Sequence, residues 1–269
     1  MIMTESGPDK SSFTIILPTC NEVQNIKGII EELLRLYPGV NVLVVDDNSI
    51  DGTVEAVHEI MTRHPSVRLM VRDPRDRGLT ASLMDGIVNA GTEHFIVMDA
   101  DFQHPPASVG DVMKKLSDGH VMVVGKRNNI RALSASRRLA SWGANFLARS
   151  YLLVHRKCRP SDLMSGFFGG DTEVWKCVIL IHGKKFERYG FKALFDLMKF
   201  SPPGTRVAEV QYDFGERSGG ESKLDSRVIL SLLRQCGYPG RFVAALISPL
   251  SRRPARRSPD QEAATSVRP

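Results

Sequence analysis

Two carboxylates stand one residue apart directly after an apolar run, at Asp99 and Asp101. Residues 94–98 are typical of a buried strand, and strand side chains alternate, so both carboxylates share one side of the chain. Gln103 follows on that side if the extended geometry continues. Because Mg²⁺ and Mn²⁺ take oxygen ligands and keep positions open for water and substrate phosphates, these side chains predict a divalent cation site. Such a site suits a nucleotide-dependent enzyme. A polar turn after a core strand is the simpler alternative.

The composition is that of an ordinary globular protein, since 42% of the 269 residues are hydrophobic and 25% are charged. The four cysteines are scattered without closely spaced histidines, which favours reduced thiols over a zinc site. The formal net charge is +6, and residues 251–269 hold five arginines against two carboxylates. Charge alone does not choose among nucleic acid, a membrane surface and phosphorylated small molecules as partners.

The ends of the chain differ in character from its middle. Residues 1–12 are polar, and no apolar run approaches the roughly 20 residues that cross a bilayer, so we expect no signal peptide and no transmembrane span. We predict a disordered N-terminus over 1–12, one folded domain over 13–240, and a basic, disordered tail over 241–269.

Short apolar runs alternate with segments of helical periodicity. We expect strands at 13–17, where Pro18 ends the run, and at 42–45, 67–71, 95–98 and 121–124, with helices from about Asn21, Thr53, Thr80 and Ala107. Strands that alternate with helices imply an α/β fold in which a mostly parallel sheet is covered on both faces.

Ligands of such sheets bind beyond the carboxyl ends of the strands. We expect five charged residues at that edge: Glu22, Asp47, Asp99, Asp101 and Arg127. Any one of them could be a solvated charge at a strand end. Five at the same edge favour a binding or catalytic site.

Eight motifs follow one another between residues 13 and 225. They are Pro18-Thr19-Cys20-Asn21-Glu22, Val45-Asp46-Asp47-Asn48-Ser49-Ile50-Asp51-Gly52-Thr53, Met98-Asp99-Ala100-Asp101-Phe102-Gln103-His104-Pro105-Pro106, Gly125-Lys126-Arg127, Arg137 with Ser141 to Phe146, Asp162 with Ser165 to Phe168, Gly190-Phe191-Lys192, and Arg217 with Gly220 to Lys223. Together they resemble the family-2 glycosyltransferases of GT-A fold, and within these the dolichol- or polyprenol-phosphate mannosyltransferases.

The resemblance implies a Rossmann-like, three-layer GT-A sandwich. It further implies an inverting enzyme that uses Mg²⁺ or Mn²⁺ and moves mannose from GDP-mannose to dolichyl or polyprenyl phosphate. A glucosyltransferase that uses UDP-glucose with the same acceptor is the alternative within this class. A catalytically silent subunit that binds a nucleotide sugar or a lipid is the alternative outside it. A receiver-type signalling domain is disfavoured, because Lys126 follows the very next strand after Asp99 and the chain is too long.

The resemblance also implies roles for individual residues. The nucleotide sugar would bind at Pro18, Thr19, Asn21, Glu22, Asp47, Asp99, Ala100 and Lys223, and the metal at Asp99, Asp101 and Gln103. The catalytic residues would be Asp101, Arg127 and Arg217. The acceptor phosphate would bind at Arg127, Arg137 and Ser141. One more site residue, Asp162, has no assigned role. A phosphate monoester with its second pKa near about 6 is already ionised, so the reaction requires no general base.

Residues 131–156 carry the pattern of a membrane-surface helix. If they form one helix, Arg131, Arg138, Arg149 and Arg156 lie along one line, with Trp142, Phe146 and Leu153 beside it. The alternative is that this apolar strip packs on the domain. We therefore expect a peripheral protein on the cytoplasmic face of a membrane, held by this helix, by the tail or by an anchoring partner subunit, and no nucleic-acid partner.

Overall fold

The computed structural model describes residues 8–128, 135–188 and 193–215, with the backbone alone for 135–140. Within these ranges the strands are β1 Phe13–Thr19, β2 Asn41–Asp46, β3 Val67–Val71, β4 His94–Val97, β5 Met122–Arg127, β6 Phe168–Asp171 and β7 Val207–Tyr212. The helices are α1 Val23–Leu36, α2 Thr53–Met61, α3 Leu79–Asn89, α4 Val109–Ser117, α5 Ala135–Val154, α6 Thr172–His182 and α7 Ala193–Lys199.

The strands form one seven-stranded sheet in the order β3-β2-β1-β4-β6-β5-β7. β6 is antiparallel to both of its neighbours, and the other pairs are parallel. This confirms the mostly parallel sheet and adds β6 and β7, which the sequence did not predict. The chain builds outwards from β1 to β3 and then returns to place β4 on the other side of β1. The carboxyl ends of β1 and β4 therefore flank a topological switch point, where α/β sheets form a binding crevice.

Helices cover both faces of the sheet. α1, α2 and α4 pack on one face, and α3, α5, α6 and α7 pack on the other, each over its own hydrophobic cluster. In α1 the fully buried side chains recur at helical spacing: Ile26, Ile29, Ile30 and Leu33. The predicted three-layer arrangement is confirmed.

Pro18 does not end its strand, contrary to expectation. It pairs with Val45 of β2, and β1 continues to Thr19. The reason lies in the neighbouring strand. Ile16 accepts from Met98 on the β4 side and Thr19 accepts from Asp47 on the β2 side, so alternation turns the nitrogen of Pro18 towards β4. β4 has already ended at Val97, so the missing N–H of proline removes no ladder hydrogen bond.

Two predicted boundaries also change. Lys10–Ser12 forms a 3₁₀ turn, capped by the side chain of Asp9, within the segment expected to be disordered. The helix predicted over 131–156 is described as α5 from Ala135, and it ends at Val154. It ends there because Arg156 adopts a left-handed conformation with φ of 54°, and the N–H of Lys157 bonds back to the carbonyl of Leu152.

Candidate active site

The predicted metal-binding motif forms a compact loop after β4. The extended geometry expected through Gln103 is wrong, because Phe102 has a φ of 61° and the chain bends back. The backbone N–H of Asp99 donates to Nδ1 of His104 at 3.0 Å, and the N–H of Gln103 donates to Oδ1 of Asp101 at 3.1 Å. Asp101 is 1% exposed, whereas the side chain of Asp99 is 39% exposed. The fold of the loop, rather than strand alternation, sets the direction of these carboxylates.

The donor chemistry of this loop fits a hard divalent cation. Two carboxylates and one amide oxygen are suitable ligands for Mg²⁺ or Mn²⁺ and leave positions for phosphate oxygens. A Cβ atom added at Gly166 would lie 3.1 Å from Oδ2 of Asp99, so the bare glycine keeps space beside that carboxylate. In the part of the chain that the structure describes, no three His, Cys, Asp or Glu side chains are close enough together to bind one metal ion. Among the described residues, the fit thus depends on Asp99, Asp101 and Gln103.

His104 supports this loop, a role that the sequence analysis did not assign. Only 2% of the His104 side chain is exposed, and its ring stacks on that of Phe167 with centroids 5.6 Å apart. Since the N–H of Asp99 donates to Nδ1, the neutral ring carries its proton on Nε2. The imidazole therefore joins the backbone of the loop to the aromatic core beneath it.

The loops after β1 and β2 form the second part of the site. The N–H of Asn21 donates to the hydroxyl of Ser49 at 2.8 Å, and the side-chain oxygen of Asn21 accepts from the N–H of Ile50 at 3.0 Å. The N–H of Glu22 donates to the hydroxyl of Thr53 at 3.0 Å. The structure thus joins two motifs that are about thirty residues apart in the chain, as their expected common role requires.

Asp46 stabilises these loops from below, although the sequence analysis singled out only its neighbour Asp47. Asp46 is fully buried and accepts from the hydroxyls of Thr19 and Ser49 at 3.0 and 2.6 Å, and from the N–H of Ser49 at 2.7 Å. Its carboxylate is therefore committed to internal hydrogen bonds. Asp47 is the more accessible of the two carboxylates, with 13% of its side chain exposed.

Asp47 is held by Arg72, which sequence reasoning missed. The side chain of Arg72 is only 3% exposed, and its Nη1 lies 2.8 Å from Oδ1 of Asp47. It also pairs with Asp85 at 2.7 Å and with Asp76 at 3.0 Å. The other oxygen of Asp47 accepts from the N–H of Gly78 at 2.9 Å. Both oxygens of Asp47 thus have a fixed partner, so its orientation is set before any ligand binds.

Asp76 extends this network to Arg188 in the segment before α7. Hydrogen bonding to Arg188, with further attraction from both arginines, lowers the pKa of Asp76 and keeps it ionised. A buried arginine is surrounded here by carboxylates from three separate segments. No local sequence pattern predicts this arrangement.

If Asp47 holds the nucleotide sugar, as the resemblance implies, replacing Arg72 with methionine should raise the KM of that donor at least about tenfold, because Asp47 loses its fixed direction. The KM of the acceptor should change little. Folding stability should fall by about 3–5 kcal/mol, since carboxylates are left without their buried partner. Arg72→Lys should restore part of the donor KM. Arg75→Met is the control, because Arg75 is exposed and, within the described part of the chain, pairs with Asp73 alone. Equal rises in both KM values would contradict a positioning role.

Arg127 and Asp162 form the third part of the site, at the end of β5. Nε and Nη2 of Arg127 donate to the two oxygens of Asp162 at 2.7 and 2.9 Å, and Nη2 lies 3.5 Å from the hydroxyl of Ser141. Asp162 also accepts from the N–H of Met164 at 3.1 Å. Asp162, for which the sequence indicated no role, therefore fixes the direction of the Arg127 side chain.

Electrostatics keep the Arg127 guanidinium charged. Burial alone would lower the pKa of Arg127, but hydrogen bonding and attraction to Asp162 outweigh it and raise the pKa. Asn145 adds a second support, since its amide lies 3.4 Å from Asp162 and its oxygen accepts from the N–H of Leu163 at 2.8 Å. The pair presents a rigid cation at the strand edge, suited to an anionic ligand.

One face of α5 beside this pair is apolar and open to solvent. Trp142 and Phe146 are 67% and 63% exposed, and their rings stack with centroids 5.8 Å apart. They line a cavity of about 400 Å³ together with Ser141, Asn145, Arg149, Ser150, Leu153, Arg159 and Ser161. Ser141 thus joins the cavity to the Arg127 guanidinium. The alternative in which this strip packs on the domain is wrong for Trp142, Phe146 and Leu153.

Several predicted site residues lie outside the described part of the chain. Arg137 belongs to α5, but its side chain is not described, and the same holds for Arg138 of the predicted basic stripe. Arg131, Arg217 and Lys223 fall in ranges that the structure does not describe. Arg149 is exposed and lines the cavity, whereas Arg156 follows the end of the helix and leaves the predicted line.

Comparison with known proteins identifies the family. The model of "Glycosyl transferase family 2" matches residues 14–178, which is more than half of the chain. The chain belongs to this family. It is 33% identical over 253 residues to dolichol-phosphate mannosyltransferase of Mycosarcoma maydis, with 89% of this chain and 81% of the relative covered. It is 32% identical over 240 residues to that of Saccharomyces cerevisiae, with 83% and 85% covered. This family-2 protein is a hexosyltransferase that groups with the dolichol-phosphate mannosyltransferases.

The fold agrees with this assignment. Glucosyl-3-phosphoglycerate synthase from Mycobacterium tuberculosis, solved with Mn²⁺, uridine diphosphate and glucosyl-3-phosphoglycerate, matches with a TM-score of 0.55 at 20% identity. The match covers 85% of this chain and 81% of the other. The predicted GT-A fold is confirmed. Within the described ranges no helix is both long and apolar enough to cross a membrane.

Proposed function

We propose that the protein transfers mannose from GDP-mannose to dolichyl or another polyprenyl phosphate, with inversion, and releases GDP. The observation that carries this proposal is the Arg127–Asp162 pair, which presents a fixed guanidinium beside Ser141 and next to an apolar cavity. A phosphate group attached to a hydrocarbon chain matches both features. Both fungal relatives are dolichol-phosphate mannosyltransferases, which supports mannose as the sugar and dolichyl phosphate as the acceptor.

The reaction forms one bond and breaks another at the anomeric carbon. A nonbridging oxygen of the lipid phosphate attacks C1 of the sugar from the face opposite the diphosphate. The bond between C1 and the diphosphate oxygen breaks, and its electron pair leaves with GDP. Because the lipid phosphate is already ionised at neutral pH, no proton has to be removed from it. Arg127 binds this phosphate and, with Asp162 behind it, sets its direction of attack.

The donor would bind across the switch point. Pro18, Thr19, Asn21 and Glu22 after β1, with Asp47 after β2, would hold the nucleoside, and Asp99 and Ala100 would lie at the diphosphate. Mg²⁺ or Mn²⁺ would be held by Asp99, Asp101 and Gln103, and when bound it supplies Lewis-acid stabilisation to the leaving diphosphate. Three further basic residues would bind phosphate groups. Arg137 would bind the acceptor phosphate, and Arg217 and Lys223 would bind the diphosphate.

A turnover panel tests this function. The protein is incubated with GDP-mannose or UDP-glucose, with a short polyprenyl phosphate, and with Mg²⁺ or Mn²⁺, and the glycolipid and nucleotide are quantified. We expect turnover with GDP-mannose, a β-linked product, and a higher melting temperature with GDP than with UDP. Turnover with UDP-glucose alone would assign the other donor. Ligand binding without turnover under any condition would identify a silent subunit.

We further propose that the exposed face of α5 meets the membrane that holds the lipid acceptor. Trp142 and Phe146 would enter the interface, and Arg149 and Arg159 at the same cavity would face anionic headgroups. Each basic residue near an anionic surface contributes about 1 kcal/mol of attraction. The acceptor phosphate would then arrive at Arg127 from the side of the membrane.

The double variant Trp142→Ser/Phe146→Ser is expected to lose most of its binding to vesicles that contain anionic lipid, because the apolar contact with the interface is removed. It should keep the affinity of the unmodified protein for GDP, because neither residue belongs to the proposed donor site. The matched control is Leu180→Ser/Ile181→Ser, which removes an equally exposed apolar pair from α6. Co-sedimentation that falls equally in both variants would contradict the assignment to α5. Unchanged sedimentation would indicate anchoring by the tail or by a partner subunit.

A further inference from the structure

The hydroxyl of Tyr212 is buried and has no hydrogen-bond partner among the described residues. Tyr212 ends β7, and only 3% of its surface is exposed. The hydroxyl of Ser165 is close enough to lower the pKa of Tyr212, but the two hydroxyls do not meet at the distance and angle of a hydrogen bond. A buried hydroxyl without a partner is unfavourable, because it has lost its water and gained nothing. Phenylalanine would fill the same space without this penalty.

The ring of Tyr212 is seated between the metal-binding loop and the arginine pair. It packs edge-on against Phe167 and His104, with centroids 5.3 and 5.6 Å away, and His104 holds the backbone of Asp99. In the parallel register of β5 and β7, Tyr212 lies opposite Arg127. The ring is tightly packed, since a Cβ atom added at Gly125 would lie 2.9 Å from it.

The charges around the hydroxyl come from both halves of the site. Burial raises the pKa of Tyr212 well above its ordinary value. Arg127 acts in the opposite direction, whereas Asp162 and Asp99 raise the pKa further. The phenol is therefore protonated at neutral pH and available as a donor. A donor between an arginine and the metal-binding carboxylates suits an anionic oxygen atom.

We propose that Tyr212 donates a hydrogen bond to a phosphate oxygen of a bound substrate and is thus a further substrate-binding residue. The identity of that phosphate rests on the proposed function. It belongs either to the acceptor, which meets Arg127, or to the diphosphate of the donor, which meets Asp99 and Asp101. In both cases the ligand supplies the hydrogen-bond acceptor that Tyr212 lacks among the described residues.

Tyr212→Phe tests this, because it removes only the hydroxyl. We expect kcat/KM to fall about 10- to 100-fold, as for the loss of one hydrogen bond to a charged group. The melting temperature of the ligand-free protein should stay equal or rise. Tyr37→Phe is the matched control, since the hydroxyl of Tyr37 accepts from the N–H of Gly110 at 2.9 Å and donates to the carbonyl of Ala107 at 2.8 Å. That variant should melt earlier and keep its kcat/KM.

Two binding measurements separate the possible sources of the phosphate. A weaker affinity of Tyr212→Phe for GDP with Mn²⁺ places the hydrogen bond on the donor, whereas a weaker affinity for polyprenyl phosphate places it on the acceptor. If the unmodified protein turns over no polyprenyl phosphate, the proposed function fails, and these two affinities still decide the role of Tyr212. Equal affinities and equal kcat/KM in both proteins overturn the proposal. An earlier melting of Tyr212→Phe, like that of Tyr37→Phe, also overturns it.

Discussion

Asp101→Asn is expected to reduce turnover by at least about 10³-fold. The substitution keeps the size of the side chain but removes a negative charge from the loop that would hold the divalent cation. Lewis-acid stabilisation of a leaving group is worth several kcal/mol, and each 1.4 kcal/mol corresponds to about a factor of ten. The rate should be measured with saturating GDP-mannose and polyprenyl phosphate over a range of Mn²⁺ concentrations.

A second readout separates loss of the metal from loss of the fold. In the unmodified protein, Mn²⁺ should increase the melting-temperature shift caused by GDP, and in Asp101→Asn this increase should vanish. Asp118→Asn is the control, because Asp118 is an exposed carboxylate at the end of α4. Full activity of the unmodified protein in EDTA would contradict metal dependence. An undiminished effect of Mn²⁺ in the variant would remove Asp101 from the metal site.

Arg127→Lys is expected to lower kcat/KM for polyprenyl phosphate by about 10²–10³-fold and to leave the affinity for GDP within twofold. Lysine keeps the positive charge but lacks the planar fork that binds both oxygens of Asp162, so its ammonium group has no fixed direction. Steady-state kinetics with each substrate varied in turn will measure the two effects separately.

Asp162→Ala should affect the same substrate through Arg127. It should also destabilise the fold by about 3–5 kcal/mol, because the guanidinium stays buried without its counter-ion. Arg68→Lys is the control, since Arg68 lies on the edge strand β3 and, among the described residues, bonds to the carbonyl of Asn89 alone. A large loss of GDP affinity in Arg127→Lys with an unchanged acceptor KM would assign Arg127 to the donor instead.

Local patterns were sufficient for much of the fold. Runs of buried β-branched residues and helical spacing, as in Ile26 to Leu33, depend on neighbours within one or two turns and can be read from the sequence. Because parallel strands direct their carboxyl ends to one edge, the same patterns predicted that the loops after β1, β2, β4 and β5 meet.

β6 was missed because its sequence, Phe168-Gly169-Gly170-Asp171, has no strand pattern. Its glycines are required by packing, since a Cβ atom at Gly170 would lie 2.5 Å from Trp175 and one at Gly169 would lie 2.8 Å from the carbonyl oxygen of Phe95. These contacts join segments far apart in the chain. A short strand with such residues can be recognised only when its neighbours are in place.

The sequence by itself determined the chemical groups of the site, namely the carboxylates after β4, the Asp47 loop and Arg127. Only the tertiary structure decided what holds them. Arg72 meets Asp47 across 25 residues and Asp162 meets Arg127 across 35. These pairings follow from the order of the strands and from burial, which strengthens attraction between opposite charges by excluding water. The spacing of residues along the sequence predicts neither the Arg72–Asp47 pair nor the Arg127–Asp162 pair.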